Sequence, residues 1–148
     1  MENSLNVMLT GTPSDSHTWN LIFMELFLQE NGCKVFNLGA CVPIHKIHQS
    51  IEKLSPDLVV ISSINGHLFQ DSMEIMSSLS KSSLKALPPL VVGGKMGIFL
   101  QASAFQKKKL IKLGYNEVFT EKSALLHFKK YLYNLRNVNA QRTFKRAV

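Results

Sequence analysis

Near the start of the chain, "TPSDSHTWN" (12–20) brings an aspartate, a histidine and the only tryptophan within five residues of one another. A turn calls only for Pro, Ser, Asp or Gly, so His17 is the residue that needs a reason. Two readings compete. On the first, Asp15 or Ser16 caps a following helix and His17 is a surface residue. On the second, Asp15 holds one imidazole nitrogen as a donor and leaves the other free to bind a metal. No other His, Cys or carboxylate is placed to complete a zinc site. The metal would therefore arrive already held by a macrocycle, with His17 as its single axial ligand. Two further stretches follow apolar runs, Ser62-Ser63-Ile64-Asn65-Gly66 and the loop 93–97, which opens on Gly93-Gly94. Ser62 either caps the next segment or hydrogen-bonds a ligand at a sheet edge. Gly93 and Gly94 either shape a turn or let something bulky and flat approach the backbone.

The elements that must position these residues alternate. Short apolar runs at 6–10, 35–38, 58–61, 90–92 and 117–119 read as strands. Between and after them, 18–31, a stretch opened by Pro43 and running to about 54, 70–80, 102–113 and 124–135 read as helices, with Gly32 and Gly114 as stops. Five strands alternating with five helices imply parallel pairing and right-handed crossovers. The fold class is α/β, a flavodoxin-like, doubly wound five-stranded parallel sheet in the order 2-1-3-4-5 with helices on both faces. That order reverses between strands 1 and 3 and opens a crevice at their carboxyl ends. The three odd stretches then meet at its rim. In the first helix, Trp19, Leu21, Ile22, Phe23, Met24, Leu26, Phe27 and Leu28 leave only a narrow polar stripe, which fits burial in the core and an interface equally.

Composition bounds the rest. With 148 residues, 45% hydrophobic and 18% charged, the chain is expected to form one globular domain over 1–135, with 136–148 a frayed basic tail. From residue 107 onward, 11 Lys or Arg face two acids, a local charge of +9 within a net +7. A solvated helix face explains that as well as an acidic partner or a phosphate-bearing ligand. No aromatic-interleaved basic motif points to nucleic acid. No apolar run is long enough to span a bilayer, and no positively charged leader precedes the first strand, so the expected location is cytoplasmic. Cys33 and Cys41 have no metal or redox spacing. Nothing resembles substrate machinery: there is no nucleophile–base pair and no carboxylate cluster.

Taken in order, Asp15-Ser16-His17-Thr18-Trp19-Asn20, Ser62-Ser63-Ile64 and Gly93-Gly94 resemble the Asp-x-His-x-x-Gly, Ser-x-Leu and Gly-Gly motifs of the cobalamin-binding domain of B12-dependent enzymes. "VFNLGACVP" and "KLGYNEVF" look like the small, cobalamin-binding subunits of glutamate mutases, and the resemblance covers roughly 5–135. It implies a base-off, histidine-on cofactor, adenosylcobalamin, with His17 as the cobalt ligand and Asp15 orienting it. Ser16, Ser62, Ile64, Gly66, Gly93 and Gly94 would line the corrin and its nucleotide tail, and C-terminal Lys and Arg would help hold the tail phosphate. It also implies a separate large, barrel-type catalytic subunit that binds substrate and covers the cofactor. Asn20 stands where the family has glycine, placing a side chain where a channel for the tail is expected. Glu121-Lys122 stand where relatives are small. A non-catalytic cobalamin carrier or sensor, or a degenerate interaction module, is the alternative. An FMN-binding, flavodoxin-like protein fits less well because paired aromatics are missing from the later loops, and a response-regulator receiver would find only Lys95 of its residues.

Overall fold

The apolar runs that end in Gly or Ser become the strands of one sheet. A computed structural model describes residues 4–95 and 104–147. The strands are β1 (Leu5–Thr10), β2 (Cys33–Asn37), β3 (Leu58–Ser63), β4 (Leu90–Gly94) and β5 (Glu117–Phe119); the helices are α1 (Trp19–Glu30), α2 (Ile44–Leu54), α3 (Leu68–Ser80), α4 (Ala104–Leu113) and α5 (Ala124–Ala147). The strand order is β2-β1-β3-β4-β5 and every pairing is parallel. This is the doubly wound, flavodoxin-like arrangement expected from the alternation.

Strand periodicity divides the core between two faces. Met8, Val59, Ile61, Leu90 and Val92 point to the layer formed by α2, α3 and α4. Val7, Leu9, Leu58, Val60 and Val91 point to the layer formed by α1 and α5. All six residues of β3 are buried, which is why its sequence reads as an unbroken apolar run rather than an alternating one. On α2, Ile47 and Ile51 bury one helical stripe. α1 is different. Leu21 and Leu28 are buried, while Trp19 (80% exposed), Ile22, Phe23 and Leu26 face outward. The helix therefore serves the core with one edge and leaves an apolar surface on another.

Several boundaries depart from the sequence reading, β2 and α3 each by starting two residues earlier. β3 and β4 each run two residues further than expected, because Ser62 pairs with Gly93 and Ser63 with Gly94 in continuous register. The start expected for the fourth helix, 102–103, lies outside the described residues. The last helix does not end at 135 with a frayed tail after it; it continues to Ala147. The apolar period stops at Leu135, so the sequence pattern gives out there. The helix goes on through good helix formers, Ala140, Gln141 and Arg142 among them. Polar anchors hold it to the domain: Arg136 Nη2 donates to the Asn31 carbonyl at 2.6 Å and Asn139 Nδ2 to Asp57 Oδ1 at 3.3 Å. Lys145 and Arg146 in the final turn complement the negative end of the helix dipole. Among the described residues, no helix is long and apolar enough to cross a membrane.

At Gly94 a side chain would collide with the neighbouring strand. Its φ is +126°, and a Cβ built there would sit 1.9 Å from the Ser63 carbonyl oxygen. Gly39 has a φ of +86° with open space around it. Gly94→Ala should therefore destabilise the protein by more than about 3 kcal/mol, strain and overlap combined, whereas Gly39→Ala should cost about 1 kcal/mol from strain alone. Urea unfolding of the two variants would check the difference; equal costs would show that β3 and β4 can separate freely at this point.

Candidate functional site

The loop 11–18 leaves β1 at the carboxyl end of the sheet, where the order reverses between β1 and β3. Its shape is set by Asp15, which is 2% exposed. Asp15 Oδ1 accepts the His17 backbone N–H at 2.9 Å and meets His17 Nδ1 at 2.6 Å. Asp15 Oδ2 accepts the Ser63 hydroxyl at 2.7 Å, the Ile64 N–H at 2.7 Å and the Asn65 N–H at 3.3 Å. One buried carboxylate thus joins the first loop to the end of β3. The Cys41 N–H donates to the Asp15 carbonyl at 3.0 Å and brings in the loop after β2. Asn65 Nδ2 donates to the Ser14 carbonyl at 3.0 Å, and the Ser14 hydroxyl to Asp71 Oδ2 at 2.5 Å, so α3 is tied to the same loop.

Burial alone would push the Asp15 carboxyl up, since it disfavours the charge; the donors around it more than offset that and lower it to about 2. Asp15 is therefore ionised at neutral pH and can only accept hydrogen bonds. That decides the imidazole beside it. Nδ1 must carry the proton that it gives to Asp15, which leaves the Nε2 lone pair free in the neutral ring. The His17 side chain is 55% exposed, so the imidazole is held from the buried side and open to solvent. Among the described residues no group of three His, Cys, Asp or Glu could hold a metal ion. A single imidazole suits a metal whose remaining ligands come with it.

Beside this network lies a cavity of about 310 Å³ between α1 and α5, above the ends of β3 and β4. Ser62, Ile64, Gly93 and Gly94 all line it. It meets the Asp15 network at Ile64, whose N–H binds the carboxylate. Phe119 and Phe128 form an aromatic wall with ring centroids 5.0 Å apart. Asn20 lines the cavity as well and donates Nδ2–H to Ser62 Oγ at 3.1 Å. Ser16 and Gly66 do not join it. Ser16 is exposed, and Gly66, at φ +89°, bends the chain after β3. Met96 and Gly97 of the third loop lie outside the described residues. Among the described residues, no Lys or Arg lines the cavity. Glu121 does, and its carboxylate lies 3.7 Å from Lys107 Nζ and 3.3 Å from His127 Nδ1. The requirement for glycine at Gly94 comes from its own neighbour strand rather than from open space kept for a ligand.

Ser63 and Asn65 hold the Asp15 carboxylate, although the sequence pointed to Ser62 and Ile64 instead. Strand alternation is the signal that could have found Ser63: adjacent serines at a strand end face opposite sides, so one meets the cavity and the other the first loop.

A family model described as the B12 binding domain matches residues 5–121. A protein named glutamate mutase sigma subunit from Halobacterium salinarum is 27% identical over 114 residues, covering 77% of this chain and 75% of that one. Its namesake from Fusobacterium nucleatum is 29% identical over 107 residues, covering 72% and 77%. Among solved structures, a cobalamin-binding protein from Desulfitobacterium hafniense aligns with a TM-score of 0.69 at 19% identity, over 90% of this chain and 60% of that one. At that identity the likeness is one of fold.

The Asp15 network has a pH signature. A carboxylate held at about 2, below its ordinary 3.8, stabilises the fold fully above pH 4 and loses that contribution as pH falls toward 2. Asp15→Asn should cost about 2 kcal/mol at pH 7, a gap that narrows steadily below pH 4. Denaturant unfolding at several pH values would measure it. A gap that stayed constant from pH 7 to 2 would mean that the charge on Asp15 contributes nothing.

Proposed function

Because the chain belongs to the B12-binding domain family, we propose that it holds adenosylcobalamin base-off, with His17 Nε2 as the lower cobalt ligand, for a separate catalytic subunit. The observation that carries this reading is the Asp15–His17 contact at 2.6 Å, in which a buried, ionised carboxylate fixes the tautomer of an exposed imidazole. The residues fit the cofactor. A corrin ring supplies the equatorial ligands, so one protein nitrogen is all that the site needs to provide, and one is what the geometry offers. The adjoining cavity, walled by Phe23, Phe119 and Phe128, suits the displaced nucleotide tail. When bound, adenosylcobalamin supplies a weak cobalt–carbon bond as a source of radicals.

The chain's own part is positional. Asp15 keeps the Nδ1 proton and fixes the plane of the ring; Ser63 and the Ile64 N–H hold Asp15 in turn. His17 touches cobalt and not substrate. The relatives named as mutase sigma subunits support a carbon-skeleton mutase of the glutamate mutase kind. Its catalytic large subunit, of barrel type, would choose the substrate and cover the upper face. Trp19, Ile22, Phe23 and Leu26 recur at helical spacing on α1, starting two residues from His17, and give such a partner an apolar surface beside the cofactor. The reading places the complex in the cytoplasm. A non-catalytic cobalamin carrier is the second reading, and Asn20 favours it: its bond to Ser62 narrows the cavity where the family has glycine.

Titration of the purified protein with hydroxocobalamin, followed through the visible spectrum and then desalting, tests the cofactor. A retained red protein with a histidine-on spectrum is expected. His17→Ala should keep its circular dichroism and lose the histidine-on signature. Asp15→Asn should weaken retention about 10- to 100-fold, as loss of the group orienting a metal-bound histidine usually does. An unaltered cobalt spectrum in His17→Ala would overturn the axial-ligand assignment.

A further inference from the structure

The basic C-terminal stretch does not serve the cavity between α1 and α5: among the described residues, no Lys or Arg lines it. Two arginines meet instead at the opposite, amino end of the sheet. There Asn6, near the start of β1, and Asp57, just before β3, face the last turns of α5 across a cleft of about 430 Å³. Arg142 and Arg146, one helical turn apart, both line it and are both exposed. Among the described residues neither guanidinium forms an ion pair. Asp57, the carboxylate in the same cleft, is engaged by neutral donors, the Asn6 N–H at 2.8 Å and Asn139 Nδ2 at 3.3 Å. Those bonds hold α5 against the strand ends, so the two arginines stand on an anchored helix. The helix dipole does not account for both of them. Lys145, in the last turn but not part of the cleft lining, already supplies a charge there, and Arg142 lies a turn further in.

We propose that this cleft binds the phosphate monoester of a small hydroxylated molecule, a sugar phosphate in chemical class, through Arg142 and Arg146. The proposal is independent of the cobalamin reading. A guanidinium offers five N–H donors in a planar fork that matches phosphate oxygens, and two forks on one helix face take a dianion between them. The rest of the lining is chemically the reverse. Thr143 Oγ1 donates its proton to the Asn139 carbonyl at 3.0 Å, and Ser4 Oγ donates to the Gly32 carbonyl at 3.0 Å, so both hydroxyls meet a ligand as acceptors. The Asp57 carboxylate is an acceptor too, with lone pairs beyond those already used. A ligand with a doubly charged, acceptor-rich end and hydroxyl donors elsewhere satisfies both halves. Among the described residues, Leu5 is the one apolar member of the lining and no aromatic ring belongs to it. The cleft therefore has no wall against which to stack a nucleobase or bury a lipid tail, and the charged group itself carries recognition.

The test is calorimetric titration of the full chain, without cobalamin and at physiological ionic strength, with ribose phosphate, inorganic phosphate and ribose. Ribose phosphate should bind saturably and at least about tenfold more tightly than inorganic phosphate, and ribose should show no binding over the same range. Arg142→Gln and Arg146→Gln should each weaken ribose phosphate about tenfold or more, the scale of a hydrogen bond to a charged group. Arg142→Lys, which keeps the charge and loses the fork, should fall between. Both positions are exposed, and circular dichroism checks that the helix is retained. Lys145→Gln should leave binding unchanged. Equal losses in Lys145→Gln and Arg142→Gln would replace the site with diffuse attraction to a basic helix and so overturn it. Inorganic phosphate binding as tightly as ribose phosphate would overturn the assignment to a hydroxylated ligand. A single-stranded oligonucleotide that displaces ribose phosphate and binds more tightly, with losses in the same arginine variants, would assign the arginines to a polymer and overturn the small-molecule proposal. Absence of saturable binding by ribose phosphate would overturn it outright, with the cofactor reading untouched.

Discussion

The arrangement of the site depends on one buried charge. Asp15 sits almost out of contact with water, where a lone carboxylate would take up a proton rather than stay ionised. It stays ionised because donors from the first loop and from the end of β3 converge on it. The charge is therefore affordable only when those segments are in register. The same interaction that stabilises the carboxylate closes the crevice at the reversal of strand order, and it also fixes which imidazole nitrogen of His17 is bare. Positioning and chemistry come from a single set of hydrogen bonds.

The rest of the site follows from how closely the strands approach. β4 lies so near β3 at Gly94 that a methyl group would overlap the Ser63 carbonyl. That proximity puts Ser63 where its hydroxyl reaches Asp15. Ser62, on the opposite side of the strand, reaches Asn20 at the cavity wall. Two adjacent serines thus serve two different structures. One holds the carboxylate that contacts His17, and the other helps to shape the apolar cavity beside it.

Much of this was legible in the sequence, and unevenly so. The sheet order and helix layers follow from alternation of apolar runs, because buried parallel strands leave a dense, unmistakable signal. Asp15 and His17 could be read because they are close in the chain and chemically out of place in a turn. Ser63 and Asn65 act on Asp15 across about 50 intervening positions, and local pattern does not record that distance. Gly94 was legible as an important glycine; that a side chain there would also meet the backbone of the neighbouring strand depends on strand register, which local pattern does not record. The end of α5 was missed because Arg136 and Asn139 hold it through hydrogen bonds to loops far away, and such bonds leave no apolar period.

The contrast between the two sides of His17 bears on how such a domain is used. On one side the ring meets the buried, fully hydrogen-bonded Asp15 carboxylate; on the other it is half open, near the outward-facing Trp19 and the exposed Ile64. On the proposed cobalamin reading, an apolar rim beside a single free imidazole nitrogen suits a surface that is to be covered, first by a flat macrocycle and then by a second protein surface. The rigid support makes that order of assembly workable. Folding around Asp15 has already ordered the imidazole, so on that reading its ordering entropy is not charged again when a ligand binds.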